Sequence, residues 1–220
     1  MCQAQSLRLC CAFFSPRKGT GFLSHLQTTR IYNGKTMPKL VLSSRAIQVI
    51  NKSIDLFYHR GFHTVGVDRI VKECKITKAT FYNFFHSKER FIEICLIVQK
   101  ERLKEKVVSI VEYAQGTSAT DKLKQLYFLH TEVEGMYYLL FKAMFETKLT
   151  YSKAYITAVR YRTWLLNEIY SQLIKLKNDA TFQDAKLFLY MIEGAIIQLL
   201  SSDGANHRES YWNMISNVFL

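Results

Sequence analysis

The stretch "ITKATFYNFFHSKE", Ile76–Glu89, carries two patterns at once. Phe81, Tyr82, Phe84 and Phe85 are aromatic, while Thr77, Lys78, Thr80 and Asn83 are small, polar or basic. A short helix capped by Thr77 reconciles them. Residues three or four apart share a helix face, so Phe81 and Phe85, with part of Phe84, point inward toward Ile47, Ile50, Ile70 and Val71. The opposite face then shows Lys78, Ala79, Thr80, Tyr82 and Asn83. Ile76 before the cap and Phe81 after it make the pair of a hydrophobic staple.

Upstream, "SSRAIQVINKSIDLFYHRGF" places Ile47, Ile50, Ile54 and Phe57 on one helical stripe. Ser43 or Ser44 can cap its start and Gly61 its end. "VGVDRIVKEC" follows as a short helix with Val67, Ile70, Val71 and Cys74 on one side. Downstream, "HSKERFIEICLIVQKERLKEKV" begins a long helix, with Ser87 as cap and Glu89 in the first turn. Two short helices joined by about three residues form a helix-turn-helix. The amino end of the second can enter a major groove, where short polar side chains reach base edges. Lys78 and Lys88 supply charge for phosphate, and Tyr82 a hydroxyl.

Charge follows the same division. The 220 residues carry a formal net charge of +12. Residues 1–36 contain no acid, residues 37–104 are strongly basic, and residues 105–220 balance their charges. A basic head on a neutral body suggests a polyanion-binding module joined to one with another task.

The order of these marks resembles the DNA-binding domain of TetR-family transcriptional regulators. The resemblance rests on "AIQVINKSIDLFYHRGFHTVGVDRIVKECKITKATFYNFFHSKERF", with its Gly61-Phe62 helix end, its "VDRIV" helix, "ITKATFYNFF" and Ser87-Lys88-Glu89. It implies an all-α fold: a three-helix DNA-binding domain with a helix-turn-helix, then a helical bundle of about six helices. It further implies a homodimer on a palindromic operator and a small-molecule effector held in the C-terminal domain. On the family pattern Thr77, Lys78, Thr80, Tyr82 and Asn83 face DNA and Lys88 contacts phosphate; Ala79 and Arg45 are counted with them. Three residues depart from it. Lys75 stands where glycine is usual, which implies a left-handed residue strained by roughly 1 kcal/mol, or an added phosphate contact. Gly66 replaces a hydroxyl cap, and Asn83 replaces a histidine or a bulkier residue.

The expected domains are residues 1–40 as a disordered extension, with Met37 as a usable start, then 41–88 for DNA and 89–220 for effector and dimer contacts. In the last part His130, Phe141, Met144, Phe145, Tyr161 and Trp164 belong to an aromatic-rich interior suited to an apolar or aromatic effector. Ile192, Ala195, Ile196 and Leu199, extended by Tyr211, Trp212 and Ile215, form a stripe read as the dimer contact, with ordinary core as the alternative.

Cys2, Cys10, Cys11, Cys74 and Cys95 lack metal-ligand spacing and fit reduced thiols in a cytoplasmic protein. No cofactor is implied. There is no apolar run of about 18 residues for a membrane span, and no nucleophile triad, phosphate loop or metal cluster that would suggest an enzyme.

Overall fold

Besides Thr181, whose hydroxyl accepts from the Asp184 N–H at 3.3 Å, four helix starts carry a hydroxyl that accepts from the backbone N–H three residues on. The pairs are Ser43 with Ala46 at 3.2 Å, Thr77 with Thr80 at 3.1 Å, and Ser87 with Arg90 and Ser118 with Asp121, both at 3.0 Å. They start α1 (Ser44–Arg60), α3 (Lys78–Phe85), α4 (Lys88–Val108) and α5 (Ala119–His130). Between the first two lies α2 (Val67–Cys74). Then come α6 (Met136–Glu146), α7 (Ser152–Leu176), α8 (Phe182–Ser201) and α9 (Arg208–Phe219). The computed structural model describes residues 42–113, 116–201 and 207–219. The expectations for residues 1–40, including Cys2, Cys10 and Cys11, lie outside them. The described part is all helical, with α4 to α9 as the six helices of the body. The boundary expected at 88/89 falls on the first turn of α4, and residues 42–220 cluster as one compact unit.

Two non-glycine residues with positive φ make the corners of the head. Lys75 has φ 52° and ψ 49°, the left-handed conformation expected of it. It lets the Ile76 N–H reach the Val71 carbonyl at 3.0 Å and its own N–H reach Lys72 at 3.3 Å, closing α2 as a Schellman motif. Two cations from α1 cover the same end: Arg45 donates to the Lys75 carbonyl at 3.1 Å, and Lys52 to that of Glu73. His86, φ 65°, is the centre of a three-residue turn in which the Ser87 N–H meets the Phe85 carbonyl at 2.7 Å. That turn sends the chain from α3 straight into α4.

The inward aromatics of α3 close on a ring from α4. Phe91 lies 5.0 Å from Phe81 and 4.4 Å from Phe85, and also 6.1 Å from Phe57 of α1. Phe57 in turn stacks on Phe62 at 5.1 Å. All five are fully buried. Beyond them α4 packs along α7 and α6, and its end loosens into a π-helical turn at Ser109–Tyr113. α5 ends at His130, where the Thr131 N–H and hydroxyl both return to the Tyr127 carbonyl, each at 2.9 Å.

Because only the backbone of Lys75 is used in the motif, Lys75→Gly relieves the left-handed strain and raises stability by about 1 kcal/mol. Urea denaturation checks this as a higher midpoint at unchanged slope.

Candidate nucleic-acid interface

With Phe81 and Phe85 buried, the rest of α3 is left for a partner. Thr77, Lys78, Ala79, Tyr82 and Asn83 are exposed, and Thr80 is half-buried. Tyr82 keeps 46% of its surface while its ring meets Phe81 edge-on at 5.5 Å. The Thr77 and Thr80 hydroxyls lie 2.9 Å apart, so the cap also holds the second threonine. The interface that the spacing predicts therefore comes together as one face at the amino end of one helix.

The cations around it are less free than the sequence suggests. Lys78 pairs with Asp68 of α2 at 2.6 Å, and that carboxylate raises its pKa. Both partners are mostly exposed, and surface pairs hold weakly, so phosphate can displace the acid. Arg45 is spent partly on the Lys75 carbonyl beside the turn. Lys88 sits half-buried at the start of α4, donating to the His63 carbonyl at 3.4 Å with its amine 5.5 Å from the Tyr151 ring. Gly66 caps α2 without a side chain, as its composition requires.

In the body, the residues read as a ligand site divide. His130 and Tyr161 are fully buried and bonded to each other, Nε2 to hydroxyl at 2.7 Å. The other nitrogen meets the Leu126 carbonyl at 2.6 Å, so it carries the proton and the ring is neutral. Tyr137 packs against both, 4.8 Å from His130 and 5.8 Å from Tyr161, and Phe141 follows at 6.2 Å from Tyr137. Trp164 lies 5.6 Å from Tyr161 and carries Lys104 over its outer face at 4.8 Å; Met144 packs at the edge of the core. Phe145 is a correction: 69% exposed at the end of α6, it faces away from this interior. These rings pack against one another in the core, and the Tyr137 hydroxyl donates outward to Glu193 at 3.5 Å. A small cleft of about 70 Å³ lies elsewhere, among Leu173, Ala180, Leu187 and Phe219.

The dimer stripe is also corrected. Ile192, Ala195, Ile196, Leu199, Trp212 and Ile215 are buried within their own subunit, and Tyr211 packs against the same core. They are the seam that joins α8 to α7 and α9. The exposed apolar face is the other side of those helices: Leu187, Tyr190, Ile197 and Leu200 on α8, Met214 and Val218 on α9. Beside it Arg162 grips Glu193 through two bonds, 2.5 and 2.9 Å.

Sequence reasoning missed the joint between head and body. Tyr58 in the last turn of α1 is bonded to Val133 of the body, and Phe62 and His63 of the α1–α2 turn are bonded to Glu146. Only a fold brings residues more than 70 positions apart together.

A capped, outward-facing α3 behind α2, with α4 as a lever into a helical body, defines a helix-turn-helix DNA-binding architecture. Residues 49–94 match the model of the bacterial regulatory proteins of the tetR family. The Bacillus subtilis (strain 168) uncharacterized HTH-type transcriptional regulator YuxN is 41% identical over 44 residues, 20% of this chain but only 15% of that protein. The Staphylococcus aureus (strain Newman) biofilm operon icaADBC HTH-type negative transcriptional regulator IcaR is 23% identical over 141 residues, 64% of this chain and 68% of that one. The crystal structure of SCO4454, a TetR-family transcriptional regulator from Streptomyces coelicolor, shares the fold with a TM-score of 0.71 at 18% identity, over 80% of this chain and 95% of that one. Among the described residues no helix is long and apolar enough to cross a membrane, and no cluster suits a metal ion.

Lys78→Ala lowers affinity for duplex DNA across sequences and reduces the slope of log affinity against log salt by about one. Fluorescence anisotropy at several salt concentrations measures it. A second outcome concerns pH. Burial holds His130 at about 4, against its ordinary 6.5. Between those values the unfolded chain binds more protons, so stability falls as pH drops from 6.5 toward 4, by at most roughly 1.4 kcal/mol per unit. In His130→Gln this part of the slope is absent, as urea titrations at stepped pH will record.

Proposed function

We propose that the chain is a transcriptional repressor that binds a palindromic operator as a homodimer. The observation that carries this is the exposed Thr77–Asn83 face, pinned in place by buried Phe81 and Phe85 on the same helix. Short polar groups at a helix amino end suit base edges, and the dipole there suits phosphate. Repression follows the role of the similar protein IcaR, a negative transcriptional regulator.

The proposed partner surface is the exposed apolar face of α8 and α9. Leu187, Tyr190 and Ile197 follow one helical stripe, and Met214 and Val218 another. Two copies packed there make a four-helix joint. Such a joint can hold two α3 helices about 34 Å apart, one turn of duplex.

A second reading adds a small apolar effector. It is favoured by the His130–Tyr161 bond, a polar pair enclosed by Tyr137, Phe141 and Trp164, which is the makeup of many ligand sites. Since His130, Tyr137 and Tyr161 are buried in ring contact, an effector has to part α5, α6 and α7, and the binding energy for the parted state is what would shift the heads.

Selection of bound sequences from random duplex DNA tests the main reading. A palindrome with half-sites one turn apart is expected; an absence of enriched sequence, or a single half-site, refutes it. Ile197→Glu buries a charge in the proposed joint, so it yields a monomer in analytical ultracentrifugation and weakens operator binding by at least about 100-fold, the loss of bivalency.

A further inference from the structure

We infer that Glu146 is a positioning residue for DNA binding: its carboxylate, reaching from the end of α6 to the Phe62 amide, fixes the angle of the head on the body. The inference rests on the operator reading above.

Head and body share one continuous element, α4. A single helix leaves a pivot, and a second fixed point removes it. That point lies at the α1–α2 turn. The Phe62 N–H donates to Glu146 Oε2 at 2.8 Å, across 84 residues of sequence. His63 donates from Nε2 to the Glu146 carbonyl at 2.5 Å, and its ring stacks 5.4 Å from Tyr151. Lys142, one turn before Glu146, donates to the Tyr58 carbonyl at 3.0 Å, and Tyr58 donates to the Val133 carbonyl at 2.5 Å. The last turn of α6 thus holds both sides of the turn that ends α1.

Glu146 is a poor residue for its own helix. An acid at a carboxyl terminus opposes the dipole, and a lysine four residues before a glutamate is the weaker order of that pair. Lys142 lies 3.6 Å from its Oε1. The benefit is therefore across the joint. Gly61 makes the same case from the other side. With φ +81° it favours glycine, and a Cβ there would sit 2.9 Å from Glu146 Oε2. The missing side chain leaves room for the carboxylate, and Phe62, wholly buried, keeps the amide in place.

The test is binding to paired half-sites whose separation is varied by single base pairs, with folding checked by circular dichroism and the dimer by sedimentation. The wild-type protein should prefer one separation sharply. Glu146→Ala should bind the preferred site about tenfold more weakly and lose the preference among neighbouring separations. Glu146→Asp, which keeps the charge but falls one methylene short, should flatten the profile too, and it decides the matter if the alanine variant does not fold. Glu146→Gln keeps an acceptor for the amide and should keep the wild-type profile. General loss of stability lowers all separations alike and leaves the profile's shape unchanged. A folded alanine or aspartate variant with the wild-type shape overturns the inference, as does a flattened glutamine variant. A wild-type protein indifferent to separation would instead refute the paired operator itself.

Discussion

The edge-on and tilted packing of Phe81 and Phe85 against Phe91 is the contact on which the head depends. An eight-residue helix has little stability of its own. Two buried rings on one side give α3 its place, and Phe91 carries that place into α4. Phe57 and Phe62 complete the cluster from α1 and from the turn that follows it. The polar side of α3 is therefore exposed as a consequence of packing, and its orientation is no freer than the rings behind it.

The charges around that helix are arranged loosely by comparison. Asp68 holds Lys78 at the surface, where water competes. Arg45 and Lys52 are directed to the carbonyl end of α2, which they neutralise. The firm polar contacts lie further back, where the α1–α2 turn meets α6 and where His130 meets Tyr161. The head thus has a soft outer layer of cations over a hard aromatic centre, a suitable division for a surface that must exchange water for phosphate without changing shape.

What could be read from the sequence was mostly local. Ser43, Thr77, Ser87 and Ser118 announce helix starts through short side chains that bond three residues on, and Gly61 announces an end. Lys75 was legible too, through the resemblance, which puts glycine at that place in the turn. The face of α3 followed from spacing alone. The choice between two apolar faces did not. On α8, Ile192 and Leu199 lie inside while Tyr190 and Ile197 lie outside, and both sets repeat at helical intervals. Hydropathy cannot say which of two such stripes meets the subunit's own core. Phe145 failed for a related reason: it ends a helix whose earlier aromatics, Tyr137 and Phe141, do point inward. Glu146 left no signal, since its partner amide belongs to a residue far away in the chain.

Only His86 and Ser87 separate α3 from α4, and this has a bearing on how the segment can evolve. Each residue added to a helix advances its faces by about 100°. One insertion within Lys78–Phe85 would swing Tyr82 and Asn83 toward the aromatic cluster and expel a phenylalanine into water, and a linker this short has no slack to absorb the rotation. New sequence preferences must therefore arise by replacing side chains at fixed length, so the span from the cap at Thr77 to the cap at Ser87 behaves as a ruler of constant size.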